Sequence, residues 1–164
     1  MSLFCLNSQS NAQQKKDNAE TKILVAYFSC TGNTESVAKS ISKATDGTLY
    51  KITPKKAYSS ADLDWRDKNS RSSIEMNDDN SRPELGGETV NMNNYDTVFI
   101  GYPIWWDLCP RPVNTFIEKY NLSGKTVIPF ATSGGSSINN SVKQLKKLYP
   151  EVDWKEWAKQ IITK

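Results

Sequence analysis

The chain has 164 residues, 24% of them charged, and a net charge of +3. That fits one domain and is too weak and dispersed a charge to bind nucleic acid. There is no histidine, and Cys5, Cys30 and Cys109 stand at no metal-like spacing. Histidine-based zinc sites, histidine general bases and Ser-His-Asp triads are therefore excluded. No apolar run reaches the roughly 18 residues of a membrane span. A chain of this size buries roughly 70% of the surface it exposes when unfolded, so its core needs no disulfide or metal.

Residues 1–20 read as a disordered polar tail or as the remnant of a signal peptide. Leu3, Phe4, Cys5 and Leu6 are apolar, and Ser10, Asn11 and Ala12 before Gln13 resemble a signal-peptidase site. The apolar part is short and lacks a basic lead. The tail reading keeps the protein in the cytoplasm; the signal reading exports it, to a periplasm for example. Residues 21–164 then form the folded domain.

Residues 23–28 (ILVAYF) are a continuous apolar run, the mark of a strand buried on both faces. They stop at Ser29, Cys30, Thr31, Gly32, Asn33 and Thr34. Val37, Ala38, Ile41 and Ala44 follow at the spacing of one helical stripe. Strand, hydroxyl-rich turn and helix start make an anion site, because free N–H groups and the positive dipole end point into the turn. Capping the helix would need one hydroxyl, and this stretch carries more. With no Lys or Arg in 29–34, an anion there is held by hydroxyls, backbone N–H groups and the dipole.

Residues 48–53 (TLYKIT) read as a second strand, closed by Pro54. No acid stands at its end, no GxGxxG precedes it, and no GKS or GKT follows the first loop. Both the nicotinamide fingerprint and the nucleoside-triphosphate loop are absent. Residues 55–94 are long and polar, which between two strands points to a functional segment. Within them 61–76 reads as a helix with Leu63, Trp65 and Ile74 apolar, and Trp65 as a core anchor. Residues 97–102 (TVFIGY) are a third strand, running into Pro103, Ile104, Trp105, Trp106 and Asp107. A helix over 112–120 follows.

Residues 126–131 (TVIPFA) are a fourth strand, opening into Thr132, Ser133, Gly134, Gly135 and Ser136. The next helix covers 138–148, with Val142, Leu145 and Leu148 inward and Lys143, Lys146 and Lys147 solvated. The last segment carries two signals. Asp153 with Glu156 forms a capping-box pair and Trp154, Trp157, Ala158 and Ile161 recur at helical spacing. The topology asks for a fifth strand at the same place.

This order is that of an α/β protein: a doubly wound parallel sheet flanked by helices. Ligands bind such sheets at the carboxyl ends of the strands, a rule for which flavodoxins with FMN are a standing example. The three loops that leave those ends offer an anion nest, two tryptophans and Gly/Ser backbone donors. From about residue 22 to 150 the sequence resembles the flavodoxins, above all those with a Tyr-Pro-x-Trp-Trp loop after the third strand. Ser29-x-Thr31-Gly32-Asn33-Thr34 matches the phosphate loop of that family.

The resemblance implies strand order 2-1-3-4-5, with the fifth strand open, and FMN as cofactor. It implies that the loop 29–34 binds the phosphate and that 103–107 pack along the flavin, with Trp105 or Trp106 on a ring face. Residues 132–136 would contact the pyrimidine edge. The function implied is an electron carrier that docks to redox partner proteins. The alternatives are an FMN-dependent NAD(P)H reductase of a small quinone-like acceptor, and a cofactor-free interaction domain. Two departures stand out. The family is usually acidic and this chain is mildly basic. The family often carries glycine beside the flavin where this chain has Trp106 and Asp107, and a side chain costs energy in the left-handed backbone region. The helix N-terminus beside Cys30 would lower its thiol pKa.

Overall fold

The computed structural model describes residues 22–156 and the backbone of 161–162. β1 (Ile23–Tyr27) lies at the centre of a parallel sheet because its side chains are buried on both faces; Leu24, Val25 and Ala26 are fully covered. α1 (Asn33–Thr45) follows it, then β2 (Thr48–Lys51). Between β2 and the next strand of the main sheet lie β3 (Thr53–Pro54), α2 (Arg71–Asn77) and β4 (Leu85–Gly86), with β3 and β4 paired in a small antiparallel sheet of their own. β5 (Thr97–Pro103), α3 (Arg111–Tyr120), β6 (Thr126–Ser133) and α4 (Asn139–Leu148) complete the main alternation.

The main sheet runs β2-β1-β5-β6-β7, with β7 at Asp153–Trp154. Counting only its own strands, this is the expected order 2-1-3-4-5. The fifth position is shared. β7 pairs with the start of β6 at Thr126 and Val127, and β8 (Ile161–Ile162) pairs with its end at Thr132 and Ser133. Topology therefore prevails over the helical spacing at 153–154. The Asp153 carboxylate caps no helix: it accepts from the Thr126 hydroxyl at 3.2 Å and pairs with Lys155. Trp157 and Ala158, part of that spacing, fall outside the described residues, as do 1–20.

The core has two parts. The larger joins one sheet face, through Leu24, Ala26, Val98, Ile100 and Tyr102, to Val113, Phe116 and Ile117 of α3 and Leu145 of α4. The smaller joins Val25, Tyr27 and Phe130 to Ala38 of α1 on the other face. Gly101 is required here, since a Cβ on it would stand 2.1 Å from the Phe130 ring.

Four sequence expectations change. The helix over 61–76 shrinks to α2, because Asp62, Asp64 and Asp67 bond nearby backbone N–H groups and hold turns instead. Ser70 then caps α2 by accepting the Ser73 N–H. Trp65 is no core anchor; it is 71% exposed. Leu148 does not face inward but is exposed at the end of α4. The second strand stops at Lys51 and the chain turns into the side sheet at Thr53.

Candidate cofactor site

β1, β5 and β6 each release a loop at the carboxyl edge of the sheet, and the three loops meet there. In the first, the Ser29 hydroxyl accepts the Gly32 N–H at 3.1 Å, folding the loop back on itself. Gly32 sits at φ 89° with open space around it, so it is needed for its backbone angle and not for room. Among the described residues no side chain caps α1. The N–H groups of its first turn, which have no partner within a helix, are left facing the loop together with the positive end of the dipole.

The first and third loops are tied directly. The Thr34 and Thr132 hydroxyls lie 2.7 Å apart and are buried. The second and third are tied by the Ile104 N–H, which donates to the Thr132 carbonyl at 2.9 Å. In the second loop Trp105 and Leu108 exchange two backbone hydrogen bonds at 2.9 Å. Between them Trp106 and Asp107 have φ values of 46° and 66°. This is a tight turn with both central residues left-handed and no glycine, a costly arrangement for a bulky side chain.

Trp105 is half-buried and packs edge-on against Phe28 and Tyr58, with ring centroids 5.5 Å away in each case. Tyr58 is held in turn: its hydroxyl donates to Glu75, and the Arg71 guanidinium lies 3.9 Å over its ring. Arg71 also donates to Glu75 at 2.6 Å. Burial and the Glu75 contact push the Tyr58 hydroxyl far above its usual pKa. Trp106 is 44% exposed at the outer rim.

A cleft of about 260 Å3 opens between the loops. Ser29, Cys30, Thr31, Asn33 and Thr34 line one side, Pro103, Ile104 and Trp105 another, and Thr132, Ser133 and Gly134 the third. Gly32, Trp106, Asp107, Gly135 and Ser136 are not on its wall. Gly32 shapes the first loop from behind. Gly135 and Ser136 donate their N–H groups to the Ser133 hydroxyl and so shape the third. Among the described residues no Lys or Arg lines the cleft.

A second chamber of about 380 Å3 adjoins it, lined by Leu63, Trp65, Ser72, Ile104, Trp105 and Trp106. Leu63, Ile104 and Trp105 belong to both. Leu63, Trp65 and Ser72 come from the crossover and were not among the residues expected here. Trp65 was the one legible signal, an aromatic in a long polar segment.

Cys30 is exposed at the cleft, yet desolvation by the surrounding loops pushes its thiol up to about 11, against the pull of Lys51 and Arg71. Desolvation thus outweighs the helix terminus, reversing the expected direction. Cys109 is fully buried, pushed up to about 12 by the same cause, and donates to the Asn114 side-chain oxygen at 3.6 Å. Among the described residues there is no cluster of three or more possible metal-binding side chains, and no helix is long and apolar enough to cross a membrane.

A parallel sheet in the order 2-1-3-4-5 with such a cleft at its carboxyl edge defines a flavodoxin-like α/β protein. The flavodoxin family profile matches residues 22–162, and the chain belongs to that family. It is similar to a provisionally assigned flavoprotein of Bacteroides eggerthii DSM 20697, at 58% identity and a TM-score of 0.83 over 86% of this chain and 88% of that one. A provisionally assigned flavoprotein of Bacteroides uniformis ATCC 8492 is 54% identical, with a TM-score of 0.84 over 87% and 90%. A flavoprotein of Lactobacillus acidophilus NCFM, solved in complex with FMN, shares the fold at 24% identity, with a TM-score of 0.67 over 85% and 92%. No curated protein matches the sequence.

Proposed function

We propose that the chain binds FMN across the cleft and serves as an electron carrier for partner proteins. The observation that carries this reading is the uncapped start of α1 behind a left-handed Gly32, facing a cleft with hydroxyls on one wall and a tryptophan on another. Backbone N–H groups, Ser29, Thr31 and Asn33 would hold the phosphate without a cationic side chain. Thr34 and Thr132 would act through their mutual hydrogen bond, which fixes the spacing between the phosphate loop and the third loop. Residues 103–107 would run along the ring, and 132–136 would meet its pyrimidine edge with Gly/Ser backbone groups. The FMN complex of the Lactobacillus acidophilus relative adds support.

Bound FMN supplies the chemistry, accepting and releasing electrons singly or in pairs. The protein orients it, limits its contact with water and offers partners a route to it. Purified protein reconstituted with FMN is expected to carry the absorbance bands of a protein-bound oxidised flavin through gel filtration. A colourless protein that fails to quench FMN fluorescence on titration would leave the cofactor-free interaction domain as the better reading.

A further inference from the structure

Two tryptophans at the second chamber stand in conformations that folding alone does not favour. Trp65 exposes 71% of its surface and Trp106 44%. Trp106 also holds a φ of 46°. Large aromatics normally contribute their apolar area to a core. Local strain of this kind gathers where a ligand is held.

Nor is Trp65 exposed because its loop is slack. The Ser72 N–H donates to the Asp62 carbonyl at 2.9 Å, and the Ser73 hydroxyl donates to the Asp67 carbonyl at 2.7 Å. These two bonds tether the loop on either side of Trp65. The Asp64 carboxylate accepts the Arg66 N–H at 3.1 Å and sets the turn at its tip.

The first cleft, about 260 Å3, falls below the roughly 300–1,000 Å3 of pockets that enclose drug-sized ligands. The chamber next to it shares three of its residues, and among the described residues its lining is one hydroxyl, Ser72, with two aliphatic side chains and three indoles. A ligand anchored by its phosphate at 29–34 and too large for the first cleft continues into that chamber, where indole and aliphatic surface suits the face of a planar ring. The third loop, Thr132–Ser133–Gly134, brings no aromatic to cover such a ring.

We propose that Trp65, supplied by the crossover, closes one face of the flavin ring. The ring is then open to electron exchange at its edge and shut to a hydride donor on that face. This rests on the FMN reading above. Hydride transfer from a nicotinamide needs its donor carbon and the acceptor nitrogen within about 3–3.5 Å over the ring face. Single electrons need no such contact. On the face it covers, the crossover therefore favours single-electron exchange over hydride transfer from NAD(P)H.

The test is a fluorescence titration of FMN into wild type, Trp65→Ala and Trp65→Phe, followed by NADPH oxidation by each holoprotein. Two equivalents of ferricyanide serve as electron sink. Each NADPH gives one hydride, becoming NADP+; the two electrons pass on singly to two ferricyanide ions, and one proton is released. Wild type and Trp65→Phe are expected to bind FMN tightly with its emission quenched. Trp65→Ala is expected to bind about tenfold more weakly, the scale of one lost stacking partner, with emission partly restored. NADPH oxidation should be at least about tenfold faster with the alanine holoprotein, as the donor gains its contact distance. If wild type binds FMN and the alanine variant matches it in affinity and emission, Trp65 is no cover and the proposal fails while the cofactor reading stands. Equal NADPH oxidation by both holoproteins likewise overturns the gating. A wild-type chain that takes up no FMN overturns both readings.

Discussion

At the residue scale, the threonines of the first loop divide their work. Thr31 is exposed at the cleft, whereas Thr34 is 1% exposed and bonded to Thr132. Thr31→Val is therefore expected to weaken FMN binding with little change in the apoprotein's urea midpoint. Thr34→Val strands a buried Thr132 hydroxyl, which costs about 1–3 kcal/mol of stability as well, visible in the same unfolding curve. Cys30 makes a third residue-level case. The thiolate is the nucleophile, and a thiol whose pKa is raised to about 11 is almost wholly protonated at neutral pH. Its alkylation by iodoacetamide should be slow at pH 7 and rise about tenfold per pH unit until pH approaches that pKa. Added FMN should protect it. A rate already level by pH 9 would show that the desolvation of Cys30 is slight.

At the scale of elements, the strands were legible and the crossover was not. β1, β5 and β6 announce themselves as unbroken apolar runs because both faces of a central parallel strand are covered. The SxTGNT, YPIWW and TSGGS loops follow directly from where those runs stop. The 55–94 crossover has no such period: its Asp and Ser side chains bond their own backbone, and α2 is anchored from a distant helix. Arg111, 1% exposed at the start of α3, donates to the Glu75 carbonyl at 3.1 Å and the Met76 carbonyl at 3.0 Å. Nothing in the spacing of residues 75 and 111 reveals that contact. Its partner Asp79 is itself exposed, so the carbonyl bonds matter more than the ion pair. Arg111→Leu should therefore cost about 2–4 kcal/mol in urea unfolding. It should also loosen the loop that carries Trp65, read as faster amide exchange over 59–77. The fifth strand was hidden for another reason: each of its pieces pairs through two residues, too few to imprint a period of two.

At the scale of the whole molecule, a ligand that joins three loops must stabilise the sheet from which they spring. Free FMN at a hundred times its dissociation constant adds about 2.7 kcal/mol by mass action, if only the folded chain binds it. For a domain of this size that raises the melting temperature by roughly 5–10 °C, measurable by calorimetry. Riboflavin, which lacks the phosphate, should give a much smaller shift at the same concentration. Equal shifts would mean that the loop at 29–34 recognises something other than phosphate.

The bond between Thr34 and Thr132 joins residues 98 positions apart. During synthesis the phosphate loop is complete long before the strand that must meet it. A nascent chain ending at Lys125 already contains the whole SxTGNT motif and both tryptophans of the second loop, but no third wall. Such a fragment should not retain FMN on a spin column, while the full chain does. Cofactor loading would then report that the fourth parallel strand has docked, and half-made chains would leave the flavin pool untouched.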